Sequence, residues 1–195
     1  MKLAIMILAA GQSQRFNGCK LLAQMSSGDS LLSHSIVNAT TTEVGDVYVV
    51  TGRWHDDIEH AQRQALVPPC KLLYCSEWSL GIGHSIAFGV GCLADDYDAI
   101  LVTLADQVAL TSETFKLLVS EYDGSQIVCA QYAGQCGVPA LFPKRYFSEL
   151  MSLSGDSGAK KILHTVDAVK AIQIKSAEVD IDTKADLDRW NSLST

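Results

Sequence analysis

Three short runs of unbroken apolar residues constrain this chain most: Leu3–Leu8 (LAIMIL), Val47–Thr51 (VYVVT) and Ala99–Leu104 (AILVTL). A strand with one face in water alternates apolar and polar residues. A run without alternation suits a strand whose sheet is covered by helices on both faces. Further strands are read at Gln126–Gln131, Val138–Phe142 and Ala168–Ile174. Between them lie amphipathic stretches with helical spacing: Ser30–Thr40, with Gly28-Asp29 as its cap, then Trp54–Leu66, His84–Leu93, Ser112–Tyr122 and Thr183–Trp190. Glu113 falls in a first turn, where the helix dipole favours an acid. Strands alternating with helices give an α/β fold, a three-layer α/β/α sandwich around a mostly parallel sheet. Ligands of such sheets sit beyond the carboxyl ends of the strands. No repeat, low-complexity tract or linker divides the 195 residues, so residues 1–195 read as a single domain.

Composition narrows the classes. At 48% hydrophobic residues the chain has material for a core, and a chain of this length buries roughly 70% of its extended surface. A net charge of −7 argues against a nucleic-acid partner, while a local cluster of cations and backbone N–H groups still suits a small anion. The six cysteines form no C-x-x-C pair and no zinc spacing, which reads as reduced thiols in a cytoplasmic protein. The first apolar run is followed at once by Gln12, Gln14 and Arg15, unlike a signal peptide. No apolar stretch approaches the ~20 residues of a membrane span, so no membrane partner is expected.

The chemistry concentrates in the loop after the first strand, Ala9-Ala10-Gly11-Gln12-Ser13-Gln14-Arg15-Phe16-Asn17-Gly18-Cys19-Lys20. Small residues and a glycine let backbone approach a ligand closely. Successive N–H groups in a turn form an anion nest, and Arg15 and Lys20 add two cations. It is neither the dinucleotide fingerprint nor a P-loop: only Gly11 sits at the tight turn, and Lys20 is followed by Leu21. By residue type alone, a solvated turn is an equal reading. Two aspartates stand out further on. Asp106 ends the run AILVTLA, and Asp182 sits in Val179-Asp180-Ile181-Asp182-Thr183. Each is either a ligand for a hard cation or the cap of a helix.

LAAGQSQRFNGCKLL resembles the signature L-A-A-G-x-S-x-R-M-G-x-x-K-L-L of the MobA-like nucleotidyltransferases, and within them the molybdenum-cofactor cytidylyltransferases. Phe16 stands for the family's Met, and Asn17 for its Gly. The resemblance implies a Rossmann-like nucleotide-diphospho-sugar transferase fold. It implies a nucleotide site formed by Leu8, Ala9, Ala10, Gly11, Gln12, Ser13, Arg15, Lys20 and Ser85, with Arg15, Lys20 and Asp106 catalytic. LADQ resembles the L-x-D-Q-P motif and VDIDTKADL resembles D-I-D-T-P-E-D-L, which implies Asp106 and Asp182 as ligands of Mg²⁺. Val108 replaces the family Pro, and Lys184-Ala185 replace Pro-Glu. GDSGAK (Gly155–Lys160) resembles G-D-x-G-A-R, and GVPALF (Gly137–Phe142) resembles G-H-P-V-L-F. This implies acceptor contacts from Gly137, Asp156 and Lys160, although Val138 replaces His and Lys160 replaces Arg. Lysine keeps the charge and loses the bidentate fork.

The implied reaction moves CMP from CTP, or a nucleotide from another nucleoside triphosphate, onto a phosphorylated small-molecule acceptor. That acceptor is molybdopterin or its metal-loaded form, with a molybdoenzyme as recipient of the product. The A-A-G form of the loop favours CTP over GTP. Other readings remain: transfer to a sugar or alcohol phosphate, an NAD(P)H-dependent oxidoreductase of the same fold, or a non-catalytic nucleotide-binding regulator. A serine hydrolase with Ser85, Asp106 and His164 lacks the strand that must precede a nucleophile elbow.

Overall fold

A computed structural model describes residues 1–166 and 168–193. Its centre is a seven-stranded sheet: β1 Leu3–Ala9, β2 Asp46–Thr51, β3 Lys71–Tyr74, β4 Ala99–Leu104, β5 Ile127–Tyr132, β6 Gln135–Pro143 and β7 Val169–Gln173. The order across the sheet is β3-β2-β1-β4-β6-β5-β7. Only β6 runs against the others, paired antiparallel to β4 and β5. The remaining pairs, β1–β2, β1–β4, β2–β3 and β5–β7, are parallel. The helices are α1 Leu31–Thr40, α2 His55–Arg63, α3 Ile82–Leu93, α4 Ser112–Ser120, α5 Phe147–Met151, α6 Lys160–Thr165 and α7 Lys184–Leu193.

The unbroken apolar runs serve two cores at once. Leu3, Ile5, Ile7 and Ala9 of β1 pack with Leu32 and Ile36 of α1, Ile58 of α2 and Phe115 of α4. Ala4, Met6 and Leu8 face the opposite way, toward Ile86 and Val90 of α3, Leu150 of α5 and Ile162 of α6. Both faces of β1 are therefore buried, and the α/β/α sandwich follows. A third, smaller apolar cluster joins Phe16, Met25, Leu31, Val108, Ile181 and Leu187. It lies at the end of the sheet where the parallel strands finish. No helix among the described residues is long and apolar enough to cross a membrane.

Some boundaries differ from the sequence reading for local reasons. Ser30 caps α1 by accepting from the Ser33 N–H at 3.1 Å, a role expected of Gly28-Asp29. α3 starts at Ile82, two residues before the expected His84, because Gly81 takes φ 107 and turns the chain into the helix. β3 and the short α5 and α6 lie outside the elements expected from periodicity.

Candidate functional site

The carboxyl ends of β1 and β4 meet the first loop and the segment before α7. Gly52 allows close approach here, since a side chain at that position would strike the Ala10 carbonyl and Trp78. Arg53 N–H donates to the Ala10 carbonyl at 3.2 Å, and the Trp54 indole N–H to the Gln12 carbonyl at 3.2 Å. The loop is thus pinned from the β2 side. Gly11 is exposed, has nothing within 4 Å of where a Cβ would stand, and is not in the left-handed region. No neighbouring protein atom requires a glycine there, which fits a site shaped for something outside the chain. Among the described residues, the N–H groups of Gly11, Gln12 and Ser13 donate to no protein acceptor. Ser13 (φ 56, ψ 38) and Asn17 (φ 55, ψ 57) are both left-handed. For a non-glycine this conformation costs roughly 1–2 kcal/mol, and such strain gathers at functional sites. Asn17 provides the turn where the related signature has Gly.

Lys20 ties the site together. Its Nζ donates to Asp106 Oδ2 at 2.6 Å, to the Ile181 carbonyl at 2.8 Å and to Asp182 Oδ1 at 3.0 Å. Arg15 holds the other Asp182 oxygen at 2.7 Å. The Lys20 side chain is 12% exposed, and those of Asp106 and Asp182 are 19% and 28% exposed. Burial works against the Lys20 charge, but the Asp106 and Asp182 carboxylates outweigh it and hold its pKa above the ordinary lysine value. Burial, reinforced by Asp182 and Asp106, raises the Asp180 carboxyl above its usual value. Asp106 Oδ1 is buried with no partner, an arrangement that costs of order 1–3 kcal/mol and fits a cation ligand. Asp182 is not the helix cap. That task falls to Thr183, whose Oγ1 accepts from the Asp186 N–H at 3.2 Å while Asp186 Oδ2 accepts from the Thr183 N–H at 2.8 Å. No group of three or more His, Cys, Asp or Glu side chains able to hold a metal occurs among the described residues. Two carboxylates suffice for a hard divalent ion when substrate oxygens and water complete its shell.

The third apolar cluster explains why these groups converge. Phe16 from the loop, Val108 two residues after Asp106 and Ile181 beside Asp182 pack together. Phe16 and Val108, two of the departures from the related motifs, fall in this one cluster. Ile181 N–H also donates to the Asp106 carbonyl at 3.1 Å.

Two cavities open along this edge. The first, about 560 Å³, is lined by Leu8 to Arg15, Lys20, Ser85, Asp106 and Asp182, so it gathers every residue expected of a nucleotide or metal site. The second, about 490 Å³, shares Leu8, Ile82, Leu104 and Asp156 with the first and adds Lys160. Gly137 lines neither. It is buried under Tyr132, whose hydroxyl occupies the space a side chain would need, and it is Tyr132 that lines the second cavity. Ser85 lies within α3 and its hydroxyl meets the Cys75 thiol, leaving no strand-borne elbow. His84 pairs with Glu77 at 3.2 Å. Sequence reading did not single out Trp78 in the first cavity, or Gln107 and Tyr132 in the second. Only the position of Gln107 beside Asp106 gave a signal.

A mostly parallel sheet with unpaired N–H groups, two cations and two carboxylates at its carboxyl edge is an α/β architecture fitted to hold a polyphosphate. The chain belongs to the MobA-like NTP transferase family, whose domain matches residues 5–171, and is thus a nucleotidyltransferase. Asp182 lies beyond the matched segment. No curated protein sequence matches the chain significantly. Solved structures share the fold over nearly the whole chain. Rv0371c of Mycobacterium tuberculosis, crystallised in complex with manganese, is 19% identical with a TM-score of 0.80, covering 98% of this chain and 99% of that one. The nucleotidyl transferase Mth528 of Methanothermobacter thermautotroptrophicus is 18% identical with a TM-score of 0.81, covering 98% and 97%. A CMP:2-keto-3-deoxy-manno-octonic acid synthetase complexed with CTP is 13% identical with a TM-score of 0.76, covering 100% and 98%.

Proposed function

We propose that the protein transfers CMP from CTP to a phosphorylated small-molecule acceptor, molybdopterin or its metal-loaded form, and releases pyrophosphate. The observation that carries this reading is the convergence of Lys20, Asp106 and Asp182 beneath a glycine loop with unpaired N–H groups. Gly11, Gln12 and Ser13 hold the triphosphate through their N–H groups, and the cationic ends of Arg15 and Lys20 turn toward its oxygens. An acceptor phosphate oxygen forms a bond to the α-phosphorus while the bond to the bridging oxygen of pyrophosphate breaks. Lys20 and Arg15 offset the charge that repels the attack and that builds on the leaving group. No protein nucleophile is required. Asp106 and Asp182 are the residues that hold Mg²⁺, which when bound supplies charge neutralisation at the phosphates. The alanine pair of the loop and a CTP-complexed protein of the same fold support the choice of CTP.

The test is nucleotide consumption and pyrophosphate release from CTP, GTP and ATP, with Mg²⁺ and with molybdopterin or ribose 5-phosphate as acceptor. Mg²⁺-dependent turnover of CTP with molybdopterin, lost in a folded Asp106→Asn variant, is expected. Turnover with GTP alone refutes the donor, turnover with the sugar phosphate alone refutes the acceptor, and full activity of the variant refutes the role of Asp106.

A further inference from the structure

Two successive residues after β2 hold the first loop from behind. Arg53 N–H donates to the Ala10 carbonyl at 3.2 Å, and the Trp54 indole N–H donates to the Gln12 carbonyl at 3.2 Å. The peptide units after Ala10 and Gln12 are both trans. A trans unit is planar, with its carbonyl oxygen and its N–H on opposite sides, so fixing one end aims the other. The Ala10 carbonyl shares its unit with the Gly11 N–H, and the Gln12 carbonyl shares its unit with the Ser13 N–H. Both N–H groups are therefore turned away from the β2 side. Neither donates to a protein acceptor among the described residues, and Gly11 and Ser13 both line the first cavity.

The two clamps differ in kind. Arg53 uses its backbone, which any residue but proline could supply. Trp54 uses its side chain. Its ring is partly buried against the core around Leu32, Ile36 and Ile58, and the Arg53 guanidinium lies 4.7 Å from the ring centroid. Trp54 does not line the first cavity. Ser13 has need of such a hold, because its left-handed backbone (φ 56, ψ 38) persists only where the surroundings over-determine it. Phe16 N–H fixes the Ser13 carbonyl at 3.1 Å, and Trp54 fixes the peptide unit on the other side.

We infer that Trp54 is a positioning residue for phosphate binding: by holding the Gln12 carbonyl from behind, its indole N–H aims the Ser13 N–H at a phosphate oxygen in the first cavity. This rests on the nucleotidyl-transfer reading and deepens it with a residue that acts through the loop and not on the substrate. A second consequence comes from the same peptide unit. When the Ser13 N–H donates to an anion, the unit polarises, and the Gln12 carbonyl becomes a stronger acceptor for the indole.

The probe is inorganic triphosphate with Mg²⁺, which carries the phosphates without base or sugar. Amide and indole proton resonances of the isotope-labelled full chain are followed during its titration. In the natural protein the Gly11 and Ser13 amide protons should both move downfield as the anion binds. Trp54→Phe keeps an aromatic ring and removes the donor. There the Ser13 shift should collapse while that of Gly11, set by the Arg53 backbone, persists. The dissociation constant should rise about tenfold, the scale of one hydrogen bond to a charged group. A general loss of structure would move both amides together. A full Ser13 shift in Trp54→Phe, equal loss at both amides, or unchanged affinity each overturns the inference and leaves the phosphate-loop reading in place. Absence of both shifts in the natural protein overturns the two together. Both shifts without turnover of any nucleoside triphosphate would refute nucleotidyl transfer and leave the role of Trp54 standing. Should Trp54→Phe not fold, the natural protein decides: the Trp54 indole proton should itself move downfield as triphosphate binds, and an indole resonance that stays in place overturns the inference.

Discussion

Lys20 sits between the two carboxylates proposed to hold the metal, and this makes Lys20→Met a revealing change. The ammonium sits on one oxygen of Asp106, one of Asp182 and the Ile181 carbonyl, at 2.6, 3.0 and 2.8 Å. Methionine keeps much of the apolar stem and removes the charge, leaving two mostly buried carboxylates facing each other. Breaking a fully buried pair costs 3–5 kcal/mol. Here Asp182 remains 28% exposed and keeps Arg15, so about 2–3 kcal/mol is expected. At 2–4 °C per kcal/mol for a domain of this size, the midpoint should fall by about 5–10 °C. A divalent ion placed between the carboxylates should then restore what the ammonium supplied, so millimolar Mn²⁺ should raise the midpoint of the variant. The natural protein without nucleotide should respond little, because Lys20 must leave first. Scanning fluorimetry over a Mn²⁺ series, with calorimetry for stoichiometry, reads both arms. The pH dependence is also defined. A lysine whose pKa is raised on folding contributes fully below its unfolded value of about 10.4 and loses that contribution only as pH climbs through the higher folded value. Natural stability should therefore show a strongly alkaline loss that Lys20→Met lacks. An equal Mn²⁺ response in both proteins without nucleotide refutes the competition between ammonium and metal.

Three further changes follow from the packing. Gly137→Ala drives a methyl into the Tyr132 hydroxyl and should cost about 1–3 kcal/mol by urea unfolding. Adding Tyr132→Ala should remove most of that cost, and strict additivity of the two would refute the clash. Phe16→Ala opens the small apolar cluster and should cost about 3 kcal/mol together with weaker triphosphate binding; unchanged binding would show that the cluster does not position the loop. Asp123 has its pKa lowered to about 2 by the Gln126 and Ser125 N–H groups and the Ser125 hydroxyl. Its contribution is present above the unfolded value near 3.8 and lost as pH falls toward 2, so Asp123→Ala should flatten the acid limb of a stability–pH curve in that window.

The sheet centre was legible because β1, β2 and β4 are continuous apolar runs that only two-sided burial explains. β3 escaped notice because Lys71–Tyr74 is a four-residue edge strand, half exposed and paired on one side only. α5 and α6 are five and six residues long, too short to show a period. The first loop drew notice through residue type, glycine and cations beside small apolar residues, but residue type alone left a solvated turn an equal reading and the resemblance made the choice. The meeting of Lys20 with Asp106 and Asp182 did not draw notice, since the partners lie 86 and 162 positions away and only the strand order brings them together. Gly137 was expected to contact the acceptor directly. Its position beneath Tyr132 depends on the β5–β6 pairing, where Ala130 lies opposite Gly137.

The small cluster of Phe16, Val108, Ile181 and Leu187 also sets a timetable. As the chain is synthesised, the loop, Lys20 and Asp106 emerge long before Ile181 and Asp182. During that interval two of the three acceptors of the ammonium, the Ile181 carbonyl and Asp182, are missing, and the apolar cluster that seats the loop is incomplete. A nascent chain can therefore assemble β1, β2 and β4 and still have a cleft with one of its two acidic walls missing. The cleft is complete only when the segment before α7 docks, so on the proposed reading an unfinished chain lacks part of the site for nucleotide and metal.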